Sequence, residues 1–145
     1  MNRSRHLGQS LVETALVLPV VLILLMGLFD FGRAIFAYNT VAEAARNGAR
    51  VAIVNQTPAD ICAVAAQRAV GLGLPAGCVS PGQVGVSLSP ASGCTALNCL
   101  QSVTVTYAFT PLTPIVSAFT GPITVNSRST VAVESLCQNN SCPKP

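Results

Sequence analysis

The sequence predicts an α+β chain: a long N-terminal helix with a membrane half and an exposed half, a short second helix, and a small three-stranded antiparallel sheet. Three observations carry that expectation. An apolar run from Leu11 to Phe29 flows into Ala-rich sequence, with Pro19 the one proline between Ser10 and Gln56. After Pro81 the apolar residues change from helical spacing to alternation. All six cysteines, starting at Cys62, follow the apolar run.

The N-terminus sets the organisation. Arg3 and Arg5 precede 19 residues, Leu11 to Phe29, in which Glu13 is the single charge. A helix crossing a bilayer core needs about 20 apolar residues. The basic end stays cytoplasmic under the positive-inside rule, which puts Asp30, Arg33 and the rest of the chain outside. A cleaved secretory signal would have a shorter core and a small-x-small site close behind it. The nearest such match, Ala42-Glu43-Ala44, lies well past the run, so retention of the helix is expected over a start near residues 38–45. Asp30 and Arg33, three apart on one helix face, are expected to pair at the membrane exit.

Composition bounds the rest. A chain of 145 residues holds one membrane helix and one modest domain. Only 9% of residues are charged, against about 25% in ordinary soluble domains. The net charge is +3, but the basic residues are scattered, with one Lys and no Trp. Nucleic acid is therefore not an expected partner. Cysteines confined to the segment after the span fit an oxidising compartment.

Glu13 is the anomaly. A carboxylate at the middle of a membrane helix costs about 2.5–3.5 kcal/mol, less towards the cytoplasmic end. Taken alone, it reads as an acid reaching the interface. The stretch Gly8-Gln9-Ser10-Leu11-Val12-Glu13-Thr14-Ala15-Leu16-Val17-Leu18-Pro19 resembles a type IV prepilin signal: a basic leader ending in Gly, a hydrophobic helix, and Glu as the fifth residue after the cut. Over residues 8–50 the chain resembles, more narrowly, the TadE/TadG-like pseudopilins of tight-adherence (Flp, type IVb/IVc-like) pilus systems. Those share Val-Glu-x-Ala-Leu-x-Leu-Pro and then an acid-Phe-Gly-Arg box, here Asp30-Phe31-Gly32-Arg33. Two departures stand out, Gln9 for the usual aromatic and Thr14 for the usual Phe.

The resemblance implies cleavage between Gly8 and Gln9 by a prepilin peptidase. Gly8, lacking a side chain, lets that peptide bond approach the enzyme closely. It also implies that Glu13 sets assembly register by pairing with a neighbour's N-terminal amine. Such a pair adds little net stability in low dielectric but penalises misregister. The partners implied are the membrane, other pilins or pilus-assembly proteins, and the peptidase, with self-association as a further expectation.

From Ser10 to about Gln56, 46 or so helical residues would extend about 70 Å, of which a bilayer core takes roughly 30 Å; in the projecting part Ala45, Gly48 and Ala49 permit close packing, most simply against this chain's own sheet. Thr57-Pro58-Ala59-Asp60 reads as a helix start with Thr57 capping and Asp60 completing a capping box. That second helix should run from Pro58 to about Val70, with Ile61, Val64, Ala65 and Val70 inward, Arg68 outward, and Gly71 and Gly73 closing it. Strands are expected over Val84–Leu88, Val103–Tyr107 and Ile123–Val133, the last with its odd positions on one side. Pro111 to Phe119 reads as a loop with one helical turn, and Leu136 to Pro145 as a frayed, disulfide-pinned tail. The organisation expected is a leader (1–8), a transmembrane half (9–36) and exposed half (37–56) of the long helix, an extracytoplasmic domain (57–136) and the tail (137–145).

Six cysteines allow many connectivities and the sequence does not choose among them. The expectation is sequential pairing: Cys62–Cys78, Cys94–Cys99 and Cys137–Cys142. The C-x4-C spacings lack a tight zinc knuckle, so neither metal nor any other cofactor is expected. Nor is catalysis: His6 is the one histidine, no carboxylates are spaced as an acid/base pair, and no nucleophile elbow appears. The functional expectation is a minor pilin or pseudopilin-like component acting in pilus assembly and surface adhesion. The alternative is a permanently anchored extracytoplasmic scaffold or adhesin. Either would be single-pass in the cytoplasmic membrane, the pilin also reaching the cell surface.

Overall fold

The computed structural model describes residues 3–137. In chain order it contains α1 (Arg3–Val54), α2 (Pro58–Arg68), β1 (Gly85–Ser89), β2 (Leu100–Phe109), α3 (Pro114–Thr120) and β3 (Ile123–Ala132). The α+β architecture expected from the sequence is the one observed. Residue contacts group the chain into two units. One runs to Ala34 and takes in Thr110–Pro122; the other comprises Ile35–Phe109 and the chain from Ile123 onward.

The second unit holds the core. Its sheet has the order β1-β2-β3, antiparallel throughout. Val86 faces Val105 and Leu88 faces Val103 across β1 and β2, while Tyr107 faces Val125 across β2 and β3. Against this face lie Val41, Ala44, Ala45, Ala49 and Ala52 of α1 with Ile61, Cys62 and Ala65 of α2. The α1 positions recur at three and four residues, the stripe of a helix with one buried side. Gly48 marks the tightest approach. A Cβ there would sit 2.9 Å from Ala65 Cβ and 3.0 Å from Val103 Cγ1, so only glycine lets α1 settle against both neighbours.

From Val125 on, β3 alternates as its sequence predicts, with Val125, Ser127, Ser129 and Val131 half-buried and the residues between them exposed, whereas Ile123, expected on the same side, is exposed at the strand's start. The β1 edge is partly covered, since the Val79 N–H donates to Val86 O at 2.8 Å beside a Cys78–Val86 bridge. The disulfides Cys62–Cys78 and Cys94–Cys99 follow the sequential pairing. The first ties α2 to the segment that covers β1, and the second closes the loop between β1 and β2. Cys137 is disulfide-bonded; its expected partner Cys142 lies outside the described residues.

Several local expectations need correction. α2 ends at Arg68, so the helical period no longer applies at Val70, which is exposed; Ala69 is buried instead. Cys62 is fully buried on the inner face, where Val64 is only half-buried. Thr57 occupies the N-cap of α2 but makes no side-chain capping hydrogen bond. Asn55 organises the corner: its side-chain oxygen accepts the Thr57 N–H at 2.8 Å, and its amide donates to Asp60 Oδ2 at 2.9 Å. The start of the tail is also not frayed. Gln56 donates to Ser135 O at 2.8 Å and accepts the Cys137 N–H at 2.9 Å, pinning that strand exit to the end of α1. Residues 138–145 lie outside the described chain.

In the first unit, α1 continues as helix through Pro19. Val20, Val21, Leu22 and Ile23 are consecutive and all exposed. Successive helical residues point about 100° apart, so the helix presents apolar side chains around its whole circumference.

Candidate membrane and assembly site

Leu11 to Phe29 contains aliphatic residues at nearly every position, which makes a helix whose backbone is satisfied internally and whose surface wants hydrocarbon. In α1 this is a helix long and apolar enough to cross a membrane, with none of its most apolar stretch buried by the rest of the chain. The side chains that would face lipid or a neighbouring helix are therefore all available.

Gly8, Gln9 and Glu13 lie on this one helix. Gln9 and Glu13 are both exposed and stand four residues apart, which places them one above the other, one turn apart. Glu13 shares a face with Thr14, Val17, Leu18, Val21 and Leu22, which line a shallow open trough. An isolated carboxylate thus heads an apolar groove. Thr14, where the resembling proteins carry Phe, donates its hydroxyl to Ser10 O at 2.9 Å. That bond satisfies the hydroxyl within the helix, so the polar substitution adds no unpaired group to the span.

At the other end of the run, the box Asp30-Phe31-Gly32-Arg33 has a structural partner. Arg33 Nη1 lies 3.6 Å from Asp30 Oδ1, the expected i, i+3 pair. Asp30 is nevertheless buried, and its carboxylate does more than meet Arg33. Oδ1 accepts the Leu112 N–H at 3.0 Å and Oδ2 accepts the Thr113 N–H at 2.8 Å. The acid that closes the apolar run thereby clamps the loop joining β2 to β3. Sequence reasoning missed this contact, because its two sides lie more than 80 residues apart. The available signal was an acid at the end of the span followed, far downstream, by an uncharged Pro-rich loop with backbone donors to spare.

Among the described residues, no three His, Cys, Asp or Glu side chains gather as a metal-ion site. Nor are the remaining acids brought together: Asp60 is engaged by Asn55, Glu43 stands exposed on α1, and Glu134 stands exposed after β3.

Residues 8–50 match the family model of the TadE-like proteins. The match begins at the Gly of the proposed cut, includes Glu13 and the Asp30–Arg33 box, and ends four residues before α1 does. It leaves α2 and the sheet uncovered. No curated protein matches the chain, and no solved structure does.

Proposed function

From a TadE-like segment whose apolar run the rest of the chain leaves bare, we propose that this protein is a minor pilin or pseudopilin-like component of a tight-adherence pilus. It acts in assembly of the fibre and in surface adhesion, and it is inserted in the cytoplasmic membrane with its N-terminus inside. The observation that carries the reading is Glu13: one exposed acid, five residues past Gly8, at the head of an apolar helix face.

In this reading a prepilin peptidase cuts after Gly8, removing Arg3 and Arg5 and creating an amine at Gln9. Before assembly that amine lies one helical turn from its own Glu13. In the fibre Glu13 takes the amine of a neighbour, and a subunit out of register leaves both charges in low dielectric without a partner. The fold outside the membrane supplies the exposed surface. The reading gives the chain no catalytic role. It is supported by the commitment of Asp30 and Asp60 to hydrogen bonds that hold the fold.

The test is the mass of the membrane-bound chain together with pull-down of pilus-system partners. A mature start at Gln9, with association lost in Glu13→Ala while insertion persists, is the expected result. A start at Met1 with normal association of Glu13→Ala would instead make this a permanent anchor with an interfacial acid. A start near residues 38–45 would make it a secreted domain.

A further inference from the structure

The segment Thr110–Pro122, between β2 and β3, does not group with the sheet it interrupts. It groups with the apolar part of α1. Its attachment is specific: both carboxylate oxygens of Asp30 accept its backbone N–H groups, from Leu112 and Thr113. Asp30 follows Phe29, the last residue of the apolar run, by one residue, or about 1.5 Å of helix rise. Leu112 is therefore held at the level where the span ends.

The chemistry of the segment suits an environment with little water. It has no charged residue in 13 positions, and three of them, Pro111, Pro114 and Pro122, have no N–H to satisfy. Leu112 and Thr113 donate to Asp30, and the Ser117 and Gly121 N–H groups donate to Thr113 O and Ser117 O. The hydroxyls of Ser117 and Thr120 are also bonded locally, to Pro114 O and Val116 O. Yet Leu112 is 75% exposed, and in α1 Phe29 and Phe31, on either side of Asp30, are 74% and 63% exposed. A lone exposed leucine needs no explanation. A leucine clamped in place on an uncharged, largely self-bonded loop, by an acid that two bare aromatics flank in the helix, does.

We propose that Thr110–Pro122 is a second membrane-contact element, with Leu112 and α3 lying in the interfacial layer of the leaflet through which α1 leaves the bilayer. The partner is a lipid surface. Continuity with the span favours lipid over a second copy, because the clamp holds the loop at the depth where headgroups begin and aromatic side chains collect. Asp30 tolerates that depth, since it enters already hydrogen-bonded and beside Arg33. The first unit would then meet the membrane at two points, the span and the loop that Asp30 holds to it. The proposal rests on the reading that Leu11–Phe29 lies in a bilayer.

The chain contains no tryptophan, so single Trp substitutions report depth directly. Leu112→Trp and, separately, Leu18→Trp are placed in the full chain in phosphatidylcholine vesicles, with lipids brominated near the headgroup or deep in the acyl chain. The expected result is strong quenching of Leu112→Trp by the shallow bromolipid, weak quenching by the deep one, and poor access to a water-soluble quencher. Adding Asp30→Asn, which leaves one oxygen for two donors, should abolish most of the shallow quenching. If Leu18→Trp is quenched by lipid but Leu112→Trp only from water, the loop is no membrane element, although the span reading stands. Shielding of Leu112→Trp from both quenchers would overturn the proposal in favour of a protein cover. Failure of lipid to quench Leu18→Trp would overturn the span reading and the inference with it.

Discussion

Between Leu11 and Phe29, α1 is apolar on every face and its side chains stand exposed, whereas between Val41 and Ala52 it buries one narrow stripe against α2 and the sheet. Both stretches are hydrophobic helix. What separates them is the size of the apolar residues. The first uses Leu, Ile, Val and Phe, which expose much hydrocarbon to a partner that conforms to any shape. The second uses Val41, four alanines and Gly48, which expose little but let a fixed partner come close. Lipid needs no shape complementarity, while a protein core packs to crystal-like density and does. Residue size along one helix thus separates a length suited to a fluid from a length fitted to a fold.

Perturbing the two lengths should separate them. The largest effect is expected off the helix itself, at the bridge that holds α2 beneath it. Cys62–Cys78 closes a loop of 16 residues, and a loop that size contributes about 3 kcal/mol in the chain-entropy model. Cys62→Ala with Cys78→Ala should lower domain stability by that order in a denaturant titration, leaving membrane retention unchanged. Next comes Gly48→Val. Its new atoms meet Ala65 and Val103, and overpacking of this kind costs about 2 kcal/mol, roughly 10 °C in the melting temperature of a domain this size. The sharpest contrast is the smallest in magnitude. Val41→Ala should cost about 1–2 kcal/mol because Val41 is fully buried. Leu24→Ala deletes more hydrocarbon, yet should leave the domain melt within about 0.5 kcal/mol. If Leu24→Ala destabilises the domain as Val41→Ala does, the division of α1 into two kinds of surface is wrong.

The elements were legible in the sequence wherever a period ran long enough. The apolar run announces a helix bare on every side, Ala45, Gly48 and Ala49 announce the close approach of α1 to its neighbours, and the alternation from Val125 to Val131 announces the inner side of β3. Periodicity fails where an element stops, which is why it puts Val70 inward although Val70, two residues past the end of α2, is exposed. It is silent about polar residues at corners. Asn55 and Gln56 look like ordinary helix-end residues, but one is fully buried as the organiser of the α1–α2 turn and the other staples the strand exit. Of the candidate site, the spacing of Gly8, Gln9 and Glu13 is local and could be read directly. The Asp30 clamp could not be, since no local rule connects an acid to backbone donors in a loop more than 80 residues away.

In this reading residues 11–29 take their burial from a membrane, and residues 41–52 take theirs from this protein's own domain. Alkaline carbonate extraction of membranes tests it most directly, comparing the full chain with one beginning at Ile35, where the second unit starts. The full chain should remain in the membrane pellet. The shortened chain, exported behind a cleavable signal, should appear in the soluble fraction with Cys62–Cys78 and Cys94–Cys99 formed. Release of the full chain by carbonate, or equal pelleting of the two, would contradict that reading.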